Sequence, residues 1–319
     1  MNNKHIFDSL HFYVQRFYPF MATRKVWYTL SAVLMIASVV SFFTRGLNLG
    51  IDFTGGVSAQ VSFTQAANVD EVRSKLTAAG FHEPQVQNFG SSRDVVIRLP
   101  PDPSQTEASI RAKLETAVKS IDATAQVPQL DVVGPQVGNE LRTSAIYALS
   151  FTLLLIFMYI AFRFHTWRLS FGAILAVLHD PILVIGIFSV SQTEFDLPVV
   201  AAILAVIGYS LNDTVVVFDR IRERFETNRR LPPATVLDQS INQTLSRTIM
   251  TKVVTSIVVV ALLFLGGPVL RGFSEALMIG IIAGTYSSIY ISSAIALDCG
   301  LTAEHLFPSA KKSALDELP

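Results

Sequence analysis

The sequence predicts an α-helical integral membrane protein with six membrane-spanning helices and one α+β domain outside the membrane. Half of the 319 residues are hydrophobic, only 16% are charged, and the mean hydropathy is +0.45. Runs long enough to cross about 30 Å of hydrocarbon occur at residues 26–44, 141–162, 169–190, 197–218, 249–267 and 273–297. One hydrophilic block, residues 46–139, is too long for a loop and has the length of a small domain.

The placement of basic residues predicts the orientation of the spans. Lys and Arg residues precede the first span, follow the second and crowd the end of the fourth, whereas the connections 191–196 and 267–273 hold only Arg271. The positive-inside rule therefore places both termini in the cytoplasm and the hydrophilic block outside. The first span has no small-residue cleavage site and is predicted to be an uncleaved anchor. The single cysteine, Cys299, excludes a disulfide within the chain, and the zero net charge gives no sign of a nucleic-acid surface.

These features divide the chain into five parts. They are a cytoplasmic N-terminal segment (1–25), the first span (26–44), the outer domain (45–139), a five-helix bundle (140–298) with a basic cytoplasmic segment (219–246), and a cytoplasmic tail (299–319). Ile6, Leu10 and Phe17 follow helical spacing in the first segment, which predicts an amphipathic helix on the membrane surface. A disordered tail is the alternative.

The outer domain alternates short strands and helices. Strands are predicted at residues 57–63, 84–89, 94–99 and 127–133. Asn68 is a candidate N-cap for a helix that ends at Gly80, and Ser104 with Glu107 has the pattern of a capping box before a second helix. The order βαββαβ predicts a ferredoxin-like sandwich. His82 is the domain's only histidine and is predicted to lie on the surface.

The most informative residue is Asp213, which lies inside the fourth apolar run. A carboxylate in a membrane-embedded helix costs roughly 2.5–3.5 kcal/mol, so it requires a partner, a proton or a water-filled cavity. Ser210, Asn212 and Thr214 beside it indicate a hydrated seam. We interpret Asp213 and Asn212 as part of a proton path, and a structural hydrogen bond between helices is the alternative.

Arg247 and Thr251 lie at the approach to the fifth span. In antiparallel neighbouring helices, Arg247 and Asp213 would both sit in the cytoplasmic half of the membrane. A guanidinium within a few ångströms would hold the carboxylate ionised, so we expect these two residues to pair. Thr251, one turn beyond Arg247, is expected on the same face as a hydroxyl of the same proton path.

His179 and Asp180 precede Pro181 near the centre of the third span. A proline in mid-span frees a backbone carbonyl and kinks the helix. The adjacent imidazole and carboxyl could form a proton relay, or they could simply hydrogen-bond the backbone defect. As a metal site the pair is too isolated.

The sixth span carries a small residue at every fourth position, at Gly280, Gly284, Ser288, Ser292 and Ala296. Stripes of this kind allow helix backbones to approach closely. We expect this stripe to serve helix packing.

Several blocks of the chain, taken in order, resemble the SecF branch of the SecD/SecF family of bacterial protein export. They are residues 50–56, 133–135, 179–180, 208–223, 243–250 and 266–270. The resemblance implies an inner-membrane subunit of the resistance-nodulation-division type, with its ferredoxin-like domain in the periplasm. Asp213 and Arg247 match the family's intramembrane charged positions.

The resemblance also implies partners and a task. It implies a pseudo-symmetric twelve-helix unit with SecD, association with the SecY–SecE–SecG channel and YajC, and contact with membrane lipid and the translocating preprotein. The implied task is to use the proton-motive force to assist late steps of protein translocation.

The chain has no sequence motif of an enzyme. It contains no phosphate-binding loop, no His-Glu-x-x-His and no Gly-x-Ser-x-Gly, so we expect neither a catalytic residue nor a cofactor or metal. Two other functions stay open at this point. One is a stand-alone proton-driven exporter of small molecules or lipids, and the other is a structural scaffold for the channel.

Overall fold

The structure is a computed structural model that describes residues 17–307 apart from residues 90, 103 and 165. Within these residues six helices are long and apolar enough to cross a membrane, as the sequence predicts. The long helices are α1 (Arg24–Arg45), α5 (Pro135–Arg163), α6 (Trp167–Ser191), α7 (Leu197–Thr227), α8 (Pro233–Leu265) and a sixth span composed of α9 (Gly267–Tyr286), a π-helical turn (Ser287–Ile291) and α10 (Ser292–Asp298). Most of the predicted amphipathic N-terminal segment and of the C-terminal tail lies outside the described residues.

The shorter elements complete the chain order. They are β1 (Asn48–Leu49), α2 (Ile51–Thr54), β2 (Gly56–Ser62), α3 (Val69–Ala78), β3 (Gln85–Phe89), β4 (Ser91–Leu99), α4 (Glu107–Lys119), β5 (Gln126–Val133), β6 (Glu194–Phe195) and α11 (Ala303–Leu306). A 3₁₀ turn at Phe20–Ala22 leads into α1.

Two long helices extend well beyond their apolar runs. Helix α7 continues to Thr227 and α8 begins at Pro233, so the predicted basic segment 219–246 consists of two helix ends joined by residues 228–232. These ends are amphipathic, because Phe225 and Val236 are fully buried while the arginines between them face outward. An apolar run in the sequence therefore predicts only the part of a helix that lies in the hydrocarbon core of the membrane, not the full length of the helix.

Between α1 and α5 the chain forms a separate α/β domain. Its four strands make one antiparallel sheet in the order β3-β4-β2-β5, and α3 and α4 share a hydrophobic core with it. The Asn68 side chain accepts hydrogen bonds from the backbone N–H groups of the first turn of α3, which confirms the predicted N-cap. The cap of α4 is Thr106, not Ser104, because Ser104 instead bonds to Asp102. His82 is exposed, as expected.

The α/β domain is tied to the helix bundle at several points. Strand β1, after α1, pairs in parallel with β6 of the α6–α7 connection. Arg98 of β4 forms an ion pair with Glu194 of β6. The backbone at Gly55 lies so close to that of α5 that a Cβ added at Gly138 would be 2.9 Å from the Gly55 nitrogen. The domain therefore contacts the bundle through backbone as well as side chains.

Inside the bundle, α6, α7 and the sixth span form the centre. More than half of the apolar stretch of each is buried, at 56%, 56% and 61%, whereas α1, α5 and α8 are only 11–17% buried and surround them. The stripe of small residues serves this packing, as predicted. A Cβ at Gly280 would lie 2.1 Å from Val206 of α7, and one at Gly172 of α6 would lie 2.3 Å from the Ser292 carbonyl oxygen.

Candidate functional site

Asp213 of α7 forms an ion pair with Lys252 of α8. The Lys252 Nζ lies 2.7 Å from Asp213 Oδ2, and the two side chains are only 5% and 6% exposed. Neither atom makes a hydrogen bond with any other group in the described part of the chain, so the opposite charge is the main compensation for the burial of each. The carboxylate thus has a cationic partner on the next helix of the chain.

Lys252 contacts Tyr209 and lines a groove on the bundle surface. Its ammonium lies 3.9 Å from the centre of the Tyr209 ring, a cation–π contact. The Tyr209 hydroxyl donates to the Thr251 carbonyl at 3.0 Å and lies 2.9 Å from the Thr255 hydroxyl. Lys252 also lines a groove of about 610 Å³ between α8 and the sixth span, whose other lining residues are mainly aliphatic. The ion pair therefore borders an apolar groove through its lysine.

The expected pair between Asp213 and Arg247 is not formed. Arg247, Thr251 and Asn212 are exposed on the bundle surface. The face of α8 that packs against α7 carries Thr248 and Lys252, four residues apart and both buried. Arg247 precedes Thr248 by one residue and is therefore rotated about 100° away from that face. A lysine in register with buried threonines is the sequence signal that would have identified the true partner.

His179 and Asp180 form a second buried cluster, and both side chains are almost fully inaccessible, at 1% and 0% exposure. The His179 Nδ1 lies 2.9 Å from Asp180 Oδ1. On the other side of the ring, Nε2 lies 3.0 Å from the Ser31 hydroxyl of α1, which in turn lies 2.7 Å from the Tyr286 hydroxyl. The pair therefore bonds to side chains of other helices.

The remaining oxygen of Asp180 accepts hydrogen bonds from two serines. Ser210 of α7 and Ser287 of the π-helical turn both donate to Asp180 Oδ2, the second at 3.0 Å. The sixth span can approach this closely because Gly284 has no side chain, and a Cβ there would lie 3.3 Å from the same oxygen. Ser210 lies three residues before Asp213, so one helix carries contacts to both clusters.

The chain is similar to proteins of a known family. The family model described as "Protein export membrane protein SecD/SecF, C-terminal" matches residues 113–302, and "SecD/SecF GG Motif" matches residues 40–67. "Protein translocase subunit SecF" of Haemophilus influenzae is 48% identical over 94% of this chain and 91% of its own length. The protein of the same name from Vibrio alginolyticus is 44% identical over 94% of this chain and 96% of its own. The chain belongs to the SecF family.

A solved structure supports the same assignment. The crystal structure of SecDF, a translocon-associated membrane protein from Thermus thermophilus, matches with a TM-score of 0.81 and 39% identity over 90% of this chain. This chain spans 39% of the length of that SecDF chain. The SecF relatives are named as protein translocase subunits, which disfavours a stand-alone exporter of small molecules.

The segment that matches the SecD/SecF GG motif forms the joint between α1 and the α/β domain. Gly55 and Gly56 have φ angles of +71° and +124°, which residues with a side chain rarely adopt. A Cβ at Gly56 would also lie 2.5 Å from the Leu99 carbonyl oxygen of β4. In this SecF-family chain the two glycines therefore let the backbone turn sharply beneath the sheet.

Three carboxyl groups surround that joint. Asp52 Oδ2 accepts a hydrogen bond from the Leu197 N–H, and Asp196 caps α7 by accepting from the Val199 N–H at 3.0 Å. Burial raises the pKa of the Asp196 carboxyl to about 6, and the charges of Glu194 and Asp52 act in the same direction, against the hydrogen bond from Val199. Within the described residues no group of three or more His, Cys, Asp or Glu side chains is arranged to hold a metal ion.

Proposed function

We propose that this chain is the SecF-type accessory subunit of the bacterial Sec translocase and that it uses the proton-motive force to assist late steps of protein translocation. The observation that carries the proposal is the buried Asp213–Lys252 ion pair, 2.7 Å apart inside the membrane-spanning bundle. An acid–base pair at this depth is expensive, and such residues in membrane proteins mark ion and proton pathways.

Protonation of Asp213 is the step that would couple the proton gradient to conformation. A neutral carboxyl no longer compensates the Lys252 ammonium, which then requires a new environment, so α7 and α8 repack. One charge that crosses a potential of 100 mV releases about 2.3 kcal/mol. Because about 1.4 kcal/mol changes an equilibrium tenfold, this energy is enough to shift a two-state bundle.

The contacts at the domain end of α7 offer a route to the α/β domain. The Leu197 N–H at the start of α7 donates to Asp52, which lies beside the glycine pair of the joint. Strand β6, just before α7, pairs with β1, and its Glu194 binds Arg98 of the domain sheet. A shift of α7 along its axis therefore acts on the base of the domain through hydrogen bonds and an ion pair.

The other residues that the sequence predicts for the proton path differ in burial. His179 and Asp180 are sealed in the bundle, while Asn212, Arg247 and Thr251 lie on exposed faces near the ion pair. We assign the exposed three to the partner-facing side of the proton path, because an isolated polar side chain at membrane depth gains most from contact with another helix.

The location and the domain class are part of the same proposal. The chain is an inner-membrane protein with both termini in the cytoplasm, supported by the clustering of arginines at the end of the bundle opposite the α/β domain. The α/β domain then lies in the periplasm. Its strand order, β3-β4-β2-β5 with βαββαβ connectivity, supports the ferredoxin-like class.

The proposed partners follow from the extent of the chain. It matches 39% of SecDF, so SecD is the partner that would supply the other half of the unit. The broadly exposed apolar faces of α1, α5 and α8 provide surface for a partner's helices and for membrane lipid. The SecY–SecE–SecG channel, YajC and the emerging preprotein are the further partners. We propose no enzymatic activity for the chain.

The test is proton-driven secretion in membrane vesicles that contain SecD and the channel. We expect Asp213→Asn to abolish the part of secretion that depends on the proton-motive force and to leave ATP-driven secretion intact. Asp131→Asn, which removes an exposed carboxylate of the α/β domain, is the matched control and should have no effect. Wild-type secretion by the Asp213→Asn variant, with loss only on removal of the whole chain, would instead identify a structural scaffold.

A further inference from the structure

The hydrogen bonds around His179 form one continuous chain that ends at a backbone carbonyl. The Tyr286 hydroxyl lies 2.5 Å from the Trp27 carbonyl oxygen, and Ser31 links Tyr286 to His179. A carbonyl oxygen can only accept a hydrogen bond, so the single Tyr286 hydroxyl hydrogen must point at Trp27. The direction of the whole chain is therefore fixed at this end.

The other donors follow in sequence. Because Tyr286 has used its hydrogen, the Ser31 hydroxyl must donate to the Tyr286 oxygen. Ser31 has then used its own hydrogen and can only accept from His179, so His179 Nε2 carries a proton. The other ring nitrogen, Nδ1, lies 2.9 Å from Asp180 Oδ1. Two bare lone pairs at that distance would repel, so a second proton lies between them.

We propose that His179 and Asp180 together hold one resident proton, which the Tyr286 hydroxyl locks in place. The pair is then neutral as a whole, whether as imidazolium and carboxylate or as imidazole and carboxylic acid. The two serines that donate to Asp180 Oδ2 satisfy its other oxygen in the first form. Neutrality suits the complete burial of both side chains, since an unpaired charge inside a bundle is strongly unfavourable.

This arrangement assigns different tasks to the two clusters. Lys252 of the first pair lines an open groove, which Tyr286 also lines, whereas the His179 and Asp180 side chains are sealed. The chain of hydrogen bonds from His179 cannot reverse while Tyr286 bonds to Trp27. A proton could leave the sealed pair through Ser31 only after the Tyr286 hydroxyl turns away. Tyr286 immediately precedes the π-helical turn that carries Ser287.

Other titratable groups on the packed helices are few among the described residues. Tyr28 of α1 lies near Asp298, at the end of the bundle opposite the α/β domain. The Tyr290 ring lies 5.8 Å from the Tyr286 ring. Within the described residues, the Tyr290 hydroxyl forms no hydrogen bond with His179 or Asp180. Asp213 is paired with Lys252. None of these other groups belongs to the chain of hydrogen bonds, in which Tyr286 is the titratable group besides His179 and Asp180.

The test is ¹⁵N NMR of the histidine ring nitrogens in the full-length protein in lipid bilayers. The signals of His179 are assigned by their absence from a His179→Gln variant. In the wild type we expect His179 Nε2 to stay protonated from about pH 5 to about pH 8, the range in which histidines ordinarily titrate. A wild-type His179 with a bare Nε2 anywhere in that range would overturn the proposal.

Tyr286→Phe tests the lock directly. Without the hydroxyl, Ser31 is free to donate to His179, and we expect a bare Nε2 signal to appear toward the upper end of the range as the resident proton is lost. Tyr290→Phe removes a hydroxyl from the same stack of aromatic rings, outside the hydrogen-bond chain, and should leave the His179 spectrum unchanged. If Tyr286→Phe does not fold, Ser31→Ala breaks the same chain and should have the same effect. An unchanged His179 spectrum in the variant that folds would contradict the proposed lock.

Discussion

Replacing Lys252 by methionine should destabilise the bundle severely. The two charges of the pair are 2.7 Å apart and at most 6% exposed. With an effective dielectric constant of about 20, their attraction is roughly 6 kcal/mol, and part of it offsets the desolvation of both groups. Removal of one partner leaves a buried carboxylate without compensation. We therefore expect Lys252→Met to lower the free energy of unfolding by about 3–5 kcal/mol at neutral pH.

The double variant separates this loss from simple damage to packing. Asp213→Asn with Lys252→Met removes both charges and leaves side chains of similar volume, so it should recover most of the loss. The free energies of unfolding of the full-length wild type, both single variants and the double variant, measured in bilayer-like bicelles, give a double-mutant cycle. We expect a coupling energy of at least about 2 kcal/mol between the two sites.

Arg247→Met is the matched control, because it removes a positive charge from the same helix at an exposed position. We expect a change within about 0.5 kcal/mol in the isolated chain. Two results would refute the reasoning. One is a loss for Arg247→Met as large as that for Lys252→Met, and the other is an additive cycle between Asp213 and Lys252.

Two further predictions concern the ends and the centre of the bundle. The pKa of Asp196 is raised to about 6 in the folded state, whereas an aspartate in the unfolded chain releases its proton near pH 4. The folded state therefore holds the proton more tightly, and the free energy of unfolding of the wild type should fall by up to about 3 kcal/mol as pH rises through 6. Asp196→Asn keeps the cap on α7 without this charge, and its melting temperature should be higher than that of the wild type at pH 8 but not at pH 4; equal pH profiles would contradict the assignment. Gly172→Ala places a Cβ 2.3 Å from the Ser292 carbonyl and should cost about 1–3 kcal/mol by thermal unfolding, whereas Gly208→Ala, which meets nothing within 4 Å, should not destabilise.

Much of the fold could be predicted because its signals are local. A run of apolar residues long enough to cross the membrane identifies each spanning helix. Alternation along β2 and the cap at Asn68 identify elements of the α/β domain in the same way. The lengths of α7 and α8 could not be obtained from apolar runs, because their ends are amphipathic and are stabilised by packing of residues such as Phe225.

The candidate site shows a different limit. Asp213 could be found from the sequence because a carboxylate inside an apolar run is costly wherever it points. The identity of its partner depends on how α8 is rotated about its own axis. The predicted partner, Arg247, lies about 140° around the helix from Lys252, the observed partner. Depth in the membrane follows from position along the sequence, but the direction of a side chain follows from packing. The bonds of His179 to Ser31 and Tyr286 join residues far apart in sequence, so no local pattern contained them.

The joint beneath the α/β domain has a mechanical consequence. The domain leaves α1 through the tight turn at Gly55 and Gly56 and enters α5 directly from β5, with only Gly134 between them. The β1–β6 ladder and the Arg98–Glu194 pair fasten its base to the α6–α7 connection. Few residues in these links are free of such contacts, so we expect the domain to follow the helices beneath it as one rigid body. A small tilt of those helices would then produce a larger displacement at the far edge of the sheet.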